Sequence, residues 1–227
     1  MKILFYDMGS YTYQDFICYL ERAGHSCRTV YYHFADKFED DFFLYRFSKY
    51  LTETSYDAVV SVNFFPLVAQ LCHKYHIKYL SWCYDSPLED RLKEYFSYET
   101  NYIFLFDRVE AAQYQAQGYP HVFHLPLAVN TERLDALTLP PSRSAAWQAD
   151  VSFVGQLYDS PLDVLLYSAD DYVKGYIEGL LQAQFRIYGY YFLENMITDD
   201  LLDRLNRSFR QLGQTSVSLN RRGLSFA

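Results

Sequence analysis

YDAVVSVNFFPLVAQLCHKYHIKYLSWCYDSP, residues 56–87, reads as strand, helix, strand. The first eight residues are a short apolar run ending at Asn63. Pro66 then opens a helix over 65–75, because proline fits the first helical turn. Residues 77–84, IKYLSWCY, form a second apolar run that stops at Asp85-Ser86-Pro87. Working outward, the same alternation recurs on both sides. Lys2–Asp7, KILFYD, is a strand, and Phe16, Ile17, Leu20 and Ala23 give helical spacing over 13–23 before Gly24. A strand over 26–34 and a helix over 39–53 precede Tyr56. After Pro87 come a strand at Tyr102–Phe106, a helix at 108–117 closed by Gly118, and a strand at Val122–Leu127. Short runs rich in Val, Ile, Leu, Tyr and Phe, alternating with helices, predict a parallel sheet covered on both faces. The expected fold is α/β, a Rossmann-like doubly wound sheet over residues 1–137.

Residues 138–149, TLPPSRSAAWQA, are a linker by their Pro-Pro pair and small polar residues. Asp150–Gly155, DVSFVG, reads as a new first strand, which makes 150–227 the start of a second, incomplete α/β domain. It is expected to hold a helix over 170–184, a short strand at Phe185–Tyr188 and a helix at 199–212 capped by Thr198.

The chain has 227 residues, half of them hydrophobic and 21% charged, too apolar for disorder. No apolar run reaches the roughly 18 residues of a membrane span. The opening MKILFYDMGS, with an acid at Asp7, does not read as a secretory signal. Net charge is −8, and neither residues 1–128 (11 basic, 16 acidic) nor the remainder (9 and 12) is basic. That argues against nucleic acid as a partner. One local exception, Arg204, Arg207, Arg210, Arg221 and Arg222, reads as a solvated helix face and tail. Cys18, Cys27, Cys72 and Cys83 show no C-x-x-C spacing. They read as reduced thiols, which points to a cytoplasmic location.

Open parallel sheets bind ligands outside the carboxyl ends of their strands. The candidate positions are therefore Asp7, Gly9 and Ser10 after the first strand, and Asn63 after the third. Asp85, Ser86 and Pro87 follow the fourth, Asp107 and Arg108 the fifth, Pro126, Leu127 and Ala128 the sixth, and Gly155, Gln156 and Tyr158 the restarted strand. Asp85 is either a turn anchor or a functional carboxylate fixed beside Pro87, and Asp107 is either a helix cap or part of an acid set. His73/His76 and His121/His124 lack a third ligand, so no metal site is expected. The Tyr-rich stretches 11–19, 31–34 and 188–192 read as core and sheet-surface aromatics rather than a sugar-stacking wall. Dinucleotide, P-loop and nucleophile-elbow motifs are absent. A receiver-like signalling domain is disfavoured, since Asp7 stands without the acidic pair such a domain carries.

Four segments carry a resemblance. YLSWCYDSPLED, 79–90, resembles the W-x-x-D-x-P strand end of the spore-maturation-like (CgeB-like) glycosyltransferases. NYIFLFDR, 101–108, looks like the strand that follows in that family. HLPLAVN, 124–130, and DVSFVGQLY, 150–158, are similar to its interdomain segment and to the first strand of its second domain. The match spans roughly residues 75–160. It implies a GT-B glycosyltransferase, with two Rossmann-like domains that hold acceptor and nucleotide sugar respectively. Trp82, Asp85 and Pro87 match the first motif, Asp107 and Arg108 the second, and Phe153, Val154 and Gly155 the third. On this resemblance Asp85 is the expected catalytic base or acceptor ligand. Gly9, Ser10, Asn63, Trp82, Ser86, Asp107 and Arg108 are expected to bind substrate, and Gly155, Gln156 and Tyr158 the donor. No cofactor or metal is implied. The rest of a donor domain would lie beyond Ala227, so a C-terminal half or partner chain is expected to complete it. The alternative is a non-catalytic Rossmann-like binding module.

Overall fold

The computed structural model describes residues 1–138, 140, 147–155, 162–213, 219, 221 and 224. The chain divides into two compact units, Met1–Ser144 and Ala145–Ala227. The first contains β1 (Lys2–Asp7), α1 (Tyr13–Arg22), β2 (Ser26–Tyr31), α2 (Asp41–Glu53), β3 (Ala58–Val62), α3 (Pro66–Lys74) and β4 (Lys78–Cys83). A single turn of 3-10 helix at Asp90–Leu92 leads into α4 (Lys93–Phe96). Then follow β5 (Asn101–Leu105), α5 (Arg108–Ala116), β6 (Val122–His124) and α6 (Thr131–Asp135). The six strands form one parallel sheet in the order β2-β1-β3-β4-β5-β6. The expected α/β doubly wound fold is therefore present.

Burial explains which segments became strands. Ile3, Leu4, Phe5 and Tyr6 of β1, and all five residues of β3, are buried. That is the signature of central parallel strands packed on both faces. The chain runs from β1 outward to β2 and then back to β3. With right-handed crossovers this reversal puts α1 on one face and α2–α5 on the other. The α2–α5 face is the larger core. Tyr6, Phe34, Phe43, Phe47 and Phe65 interlock there, with ring centroids 4.6–5.9 Å apart. Among the buried hydroxyls of this core, that of Tyr79 is paired on two sides. Tyr79 Oη accepts from the Phe65 amide at 3.0 Å and bonds Ser61 Oγ at 2.7 Å.

The opposite face departs from the expectation of full cover. Phe16, Ile17 and Leu20 of α1 pack on Ile3, Phe5, Val60 and Val62. Beyond α1, Leu80, Tyr102, Phe104 and Phe123 are only half-buried. A cavity of about 820 Å³ opens there, with Leu20 and Phe16 as one wall and Val60, Leu80, Trp82 and Phe104 as floor. The cause is topological. The connections from β3 to β6 all step in one direction, so their helices α3–α5 stay on the other face.

After β6 the chain crosses the sheet edge and docks on α1. Arg133 pairs with Asp15 at 2.8 Å, Arg22 with Glu132 at 2.8 Å, and Asn130 donates to Asp15 at 2.8 Å.

The second unit is helical among its described residues: α7 (Leu162–Leu166), α8 (Asp171–Phe185), α9 (Leu193–Met196) and α10 (Asp199–Gln211). Asp170 caps α8 and Thr198 caps α10, as the sequence predicts for the latter. Val173, Ile177, Ile197, Leu201 and Leu205 form its core. The strands predicted at 150–155 and 185–188 are not formed. Val151, Phe153 and Val154 are exposed, with no neighbouring strand among the described residues to take their backbone groups. Phe185 instead ends α8, and the Gln184 side chain holds the following loop. Its Nε2 donates to the carbonyls of Ile187 and Tyr190, and its Oε1 accepts from the Phe192 amide. Trp147, in this unit, is 78% exposed.

Candidate functional site at the carboxyl edge of the sheet

The connections leaving β1 and β3 run in opposite directions, so the topological switch point lies between those strands. Ligands of doubly wound sheets bind in the crevice there, at the carboxyl edge. On the β1 side stands Asp7, 5% exposed. Its Oδ1 accepts from the Gly9 and Ser10 amides at 2.9 and 3.0 Å and from Ser10 Oγ at 3.3 Å. The carboxylate thus ties its own turn. Gly9 has φ +98°, which only glycine adopts without cost.

On the β3 side, Asn63 adopts φ +67°, a left-handed conformation that asparagine tolerates better than most residues. This turns its side chain across to the end of β4. Asn63 Oδ1 accepts from the amides of Tyr84 and Asp85 at 3.0 and 3.3 Å, and Nδ2 donates to Asp85 Oδ2 at 2.7 Å. The backbone is fixed as well. Asn63 donates its amide to the Trp82 carbonyl at 2.9 Å, and its own carbonyl accepts from Ser61 Oγ at 2.6 Å. Asn63, expected to bind substrate, therefore holds Asp85. The Asp85 carboxylate is exposed, with one oxygen anchored. Such a group can accept a proton from a bound hydroxyl.

The turn after Asp85 has a second anchor that sequence reasoning missed. Glu110, buried in the first turn of α5, accepts from Ser86 Oγ and from the Leu88 amide, both at 2.8 Å. The Ser86–Pro87 peptide bond within this turn is cis. The signal for Glu110 was the spacing Asp107-x-x-Glu110, which resembles a capping box. Here the glutamate reaches the 86–88 turn. Asp107 caps α5, accepting at Oδ1 from the Val109 and Glu110 amides at 2.7 and 2.9 Å. Arg108 is exposed at the first position of that helix.

Tyr84 is the other residue the sequence reading passed over. It follows Leu80 and Trp82 onto the α1 face by the strand period of two. Burial first, then the charges of Asp85, Tyr11 and Asp7, hold its phenol above the usual range. The phenol stays protonated at neutral pH and is a hydrogen-bond donor at this edge.

Trp82 lies below the edge. It is 9% exposed, stacks on Phe16 with centroids 5.6 Å apart, and its Nε1 finds no partner among the described residues. It forms part of the floor of the apolar cavity. Gly155 belongs to the second unit and is exposed, whereas Gln156 and Tyr158 lie outside the described residues.

The remaining candidates have local roles. His73 stacks on Tyr98 at 4.3 Å, and His121 meets the Tyr102 ring edge at 5.6 Å. All four cysteines are free thiols. Burial pushes Cys83 up to about 12 and Cys72 higher still, so neither supplies a thiolate. Of the tyrosine-rich stretches, Tyr11, Tyr31, Tyr188 and Tyr190 are exposed rather than core, whereas Phe34 is buried.

No protein-family model matches this chain, and no curated protein matches it.

Proposed function

We propose that this chain is the acceptor-side portion of a GT-B glycosyltransferase of the spore-maturation-like (CgeB-like) type. It would transfer a sugar from a nucleotide sugar to a glycan or surface-polymer acceptor. The observation that carries this reading is the Asp85 carboxylate. It is exposed at the carboxyl end of β4 and held by Asn63, inside the W-x-x-D-x-P segment. In an inverting transfer, Asp85 takes the proton of the acceptor hydroxyl as its oxygen bonds to the anomeric carbon. The bond from that carbon to the diphosphate oxygen breaks, and the diphosphate leaves with the electron pair. Tyr84 and the Gly9–Ser10 turn flank the acceptor, and the Ser86 turn fixes the position of the base. Gly155, Gln156 and Tyr158 contribute to the donor side.

The second reading, a non-catalytic partner module, is favoured by one observation. Val164, Tyr167, Phe185 and Tyr188 of the second unit are large and exposed. Thermal unfolding with a panel of nucleotide diphosphate sugars separates the two. A rise in Tm with one sugar nucleotide, together with transfer activity abolished by Asp85→Asn, is expected for the enzyme. No shift with any member of the panel would favour the module.

A further inference from the structure

Parallel sheets are covered on both faces almost without exception. On the α1 side of this sheet, Leu80, Tyr102, Phe104 and Phe123 lie within strands and are only half-buried. The cavity over them holds about 820 Å³, inside the roughly 300–1,000 Å³ of small-molecule sites. A bare apolar strip of this kind calls for an occupant, and its shape and polarity restrict what that is.

Shape sets a second copy aside. α1 stands along one side through Phe16 and Leu20, and Leu125, just past β6 at the far edge of the sheet, also lines the space. The result is a trough. Another copy would present the same trough, and two concave faces do not fill each other. Polarity separates the remaining occupants. The two charged side chains of the lining, Asp57 and Lys78, sit together at the amino ends of β3 and β4, where the ladder pairs Ala58 with Lys78. Along β4 the lining continues through Leu80 to Trp82, about 13 Å at the strand rise. The other lining side chains are uncharged. The trough is therefore polar at one end and apolar along its length. An amphipathic helix has a different polarity, one side apolar and the other polar along its whole axis. A single-chain amphiphile is polar at one end only.

We propose that this trough binds one molecule of a single-chain amphiphile, with its hydrocarbon chain along Leu80, Phe104 and Trp82 and its head at the Asp57–Lys78 edge. That edge carries one side-chain charge of each sign, so an ionic head is not required. Burying chain and floor against each other removes the apolar surface of both from water, which drives the binding. Binding there needs neither Asp85 nor a nucleotide sugar, so it stands or falls apart from sugar transfer.

Equilibrium dialysis of the whole chain against radiolabelled dodecanol, kept below its solubility limit, tests this. Saturable uptake of one molecule per chain is expected. Leu80→Glu should weaken it about tenfold or more, since a carboxylate on the floor would lose its water. Tyr45→Glu, at an exposed position on α2, should leave it unchanged. Dodecanol carrying a diazirine at its chain end should, on irradiation, label the peptides of Trp82 or Leu125. Absence of saturable uptake overturns the proposal, as does equal loss in Tyr45→Glu or labelling confined to the second unit. A dimer that Leu80→Glu dissolves, with no uptake of dodecanol, overturns it in favour of a second copy. Should Leu80→Glu fail to fold, failure of plain dodecanol to suppress the labelling at Trp82 and Leu125 overturns it instead.

Discussion

Asn63 does two jobs with one backbone conformation. Its positive φ aims the amide at β4, and the amide then holds the Tyr84 and Asp85 backbone and the Asp85 carboxylate. The two contributions separate by substitution. Asn63→Ala loses the hydrogen bonds and adds left-handed strain of about 1–2 kcal/mol. Asn63→Gly loses only the hydrogen bonds. Glycine at this position is therefore expected to be the more stable variant, by about 1 kcal/mol, in urea denaturation. Alanine at least as stable as glycine would show that the backbone there relaxes. Both variants free the carboxylate of Asp85, so both should lower any activity that depends on its orientation.

At the scale of elements, the contact between α6 and α1 is expected to depend on pH. Hydrogen bonds from Arg133 and then Asn130 hold the Asp15 carboxyl below its ordinary value of 3.8. A carboxyl depressed in the folded state contributes stability above its unfolded value and loses it as pH falls through the folded one. Amides of residues 130–135 are thus expected to exchange faster as pH drops below about 4, after correction for intrinsic rates. Asp15→Asn should remove that dependence. An unchanged profile in the variant would place the cause elsewhere.

Much of the first unit was legible at this scale. Buried parallel strands are continuous apolar runs, so β1, β3 and β4 could be read directly, and Asp107 could be named as a possible cap. Strand order could not, because alternation of strand and helix is the same for every winding. The open half of one face follows from that order and was hidden with it. Asn63 and Glu110 were obscured for a related reason: each acts on a neighbouring strand end that only tertiary structure brings near. In the second unit, short apolar runs such as VSFVG carry no period that separates a strand from an exposed segment.

For the molecule as a whole, the two units differ in what holds them. Among the described residues, the first carries the six strands and both hydrophobic clusters of the sheet. Expressed alone, residues 1–138 are expected to unfold in one cooperative urea transition monitored by circular dichroism. A non-cooperative profile would show that it depends on the remainder of the chain. The second unit rests on a smaller cluster around Val173, Ile177, Leu201 and Leu205, and with fewer buried side chains it is expected to melt first.

The chain has only two tryptophans, one in each unit, and their surroundings are opposite. Trp82 is 9% exposed and stacks on Phe16, and Trp147 faces solvent. Intrinsic fluorescence therefore carries two separable colours: a blue-shifted emitter sheltered from iodide in the sheet unit, and a red, quenchable one in the helical unit. Each unit brings its own optical label, without a dye or an added residue.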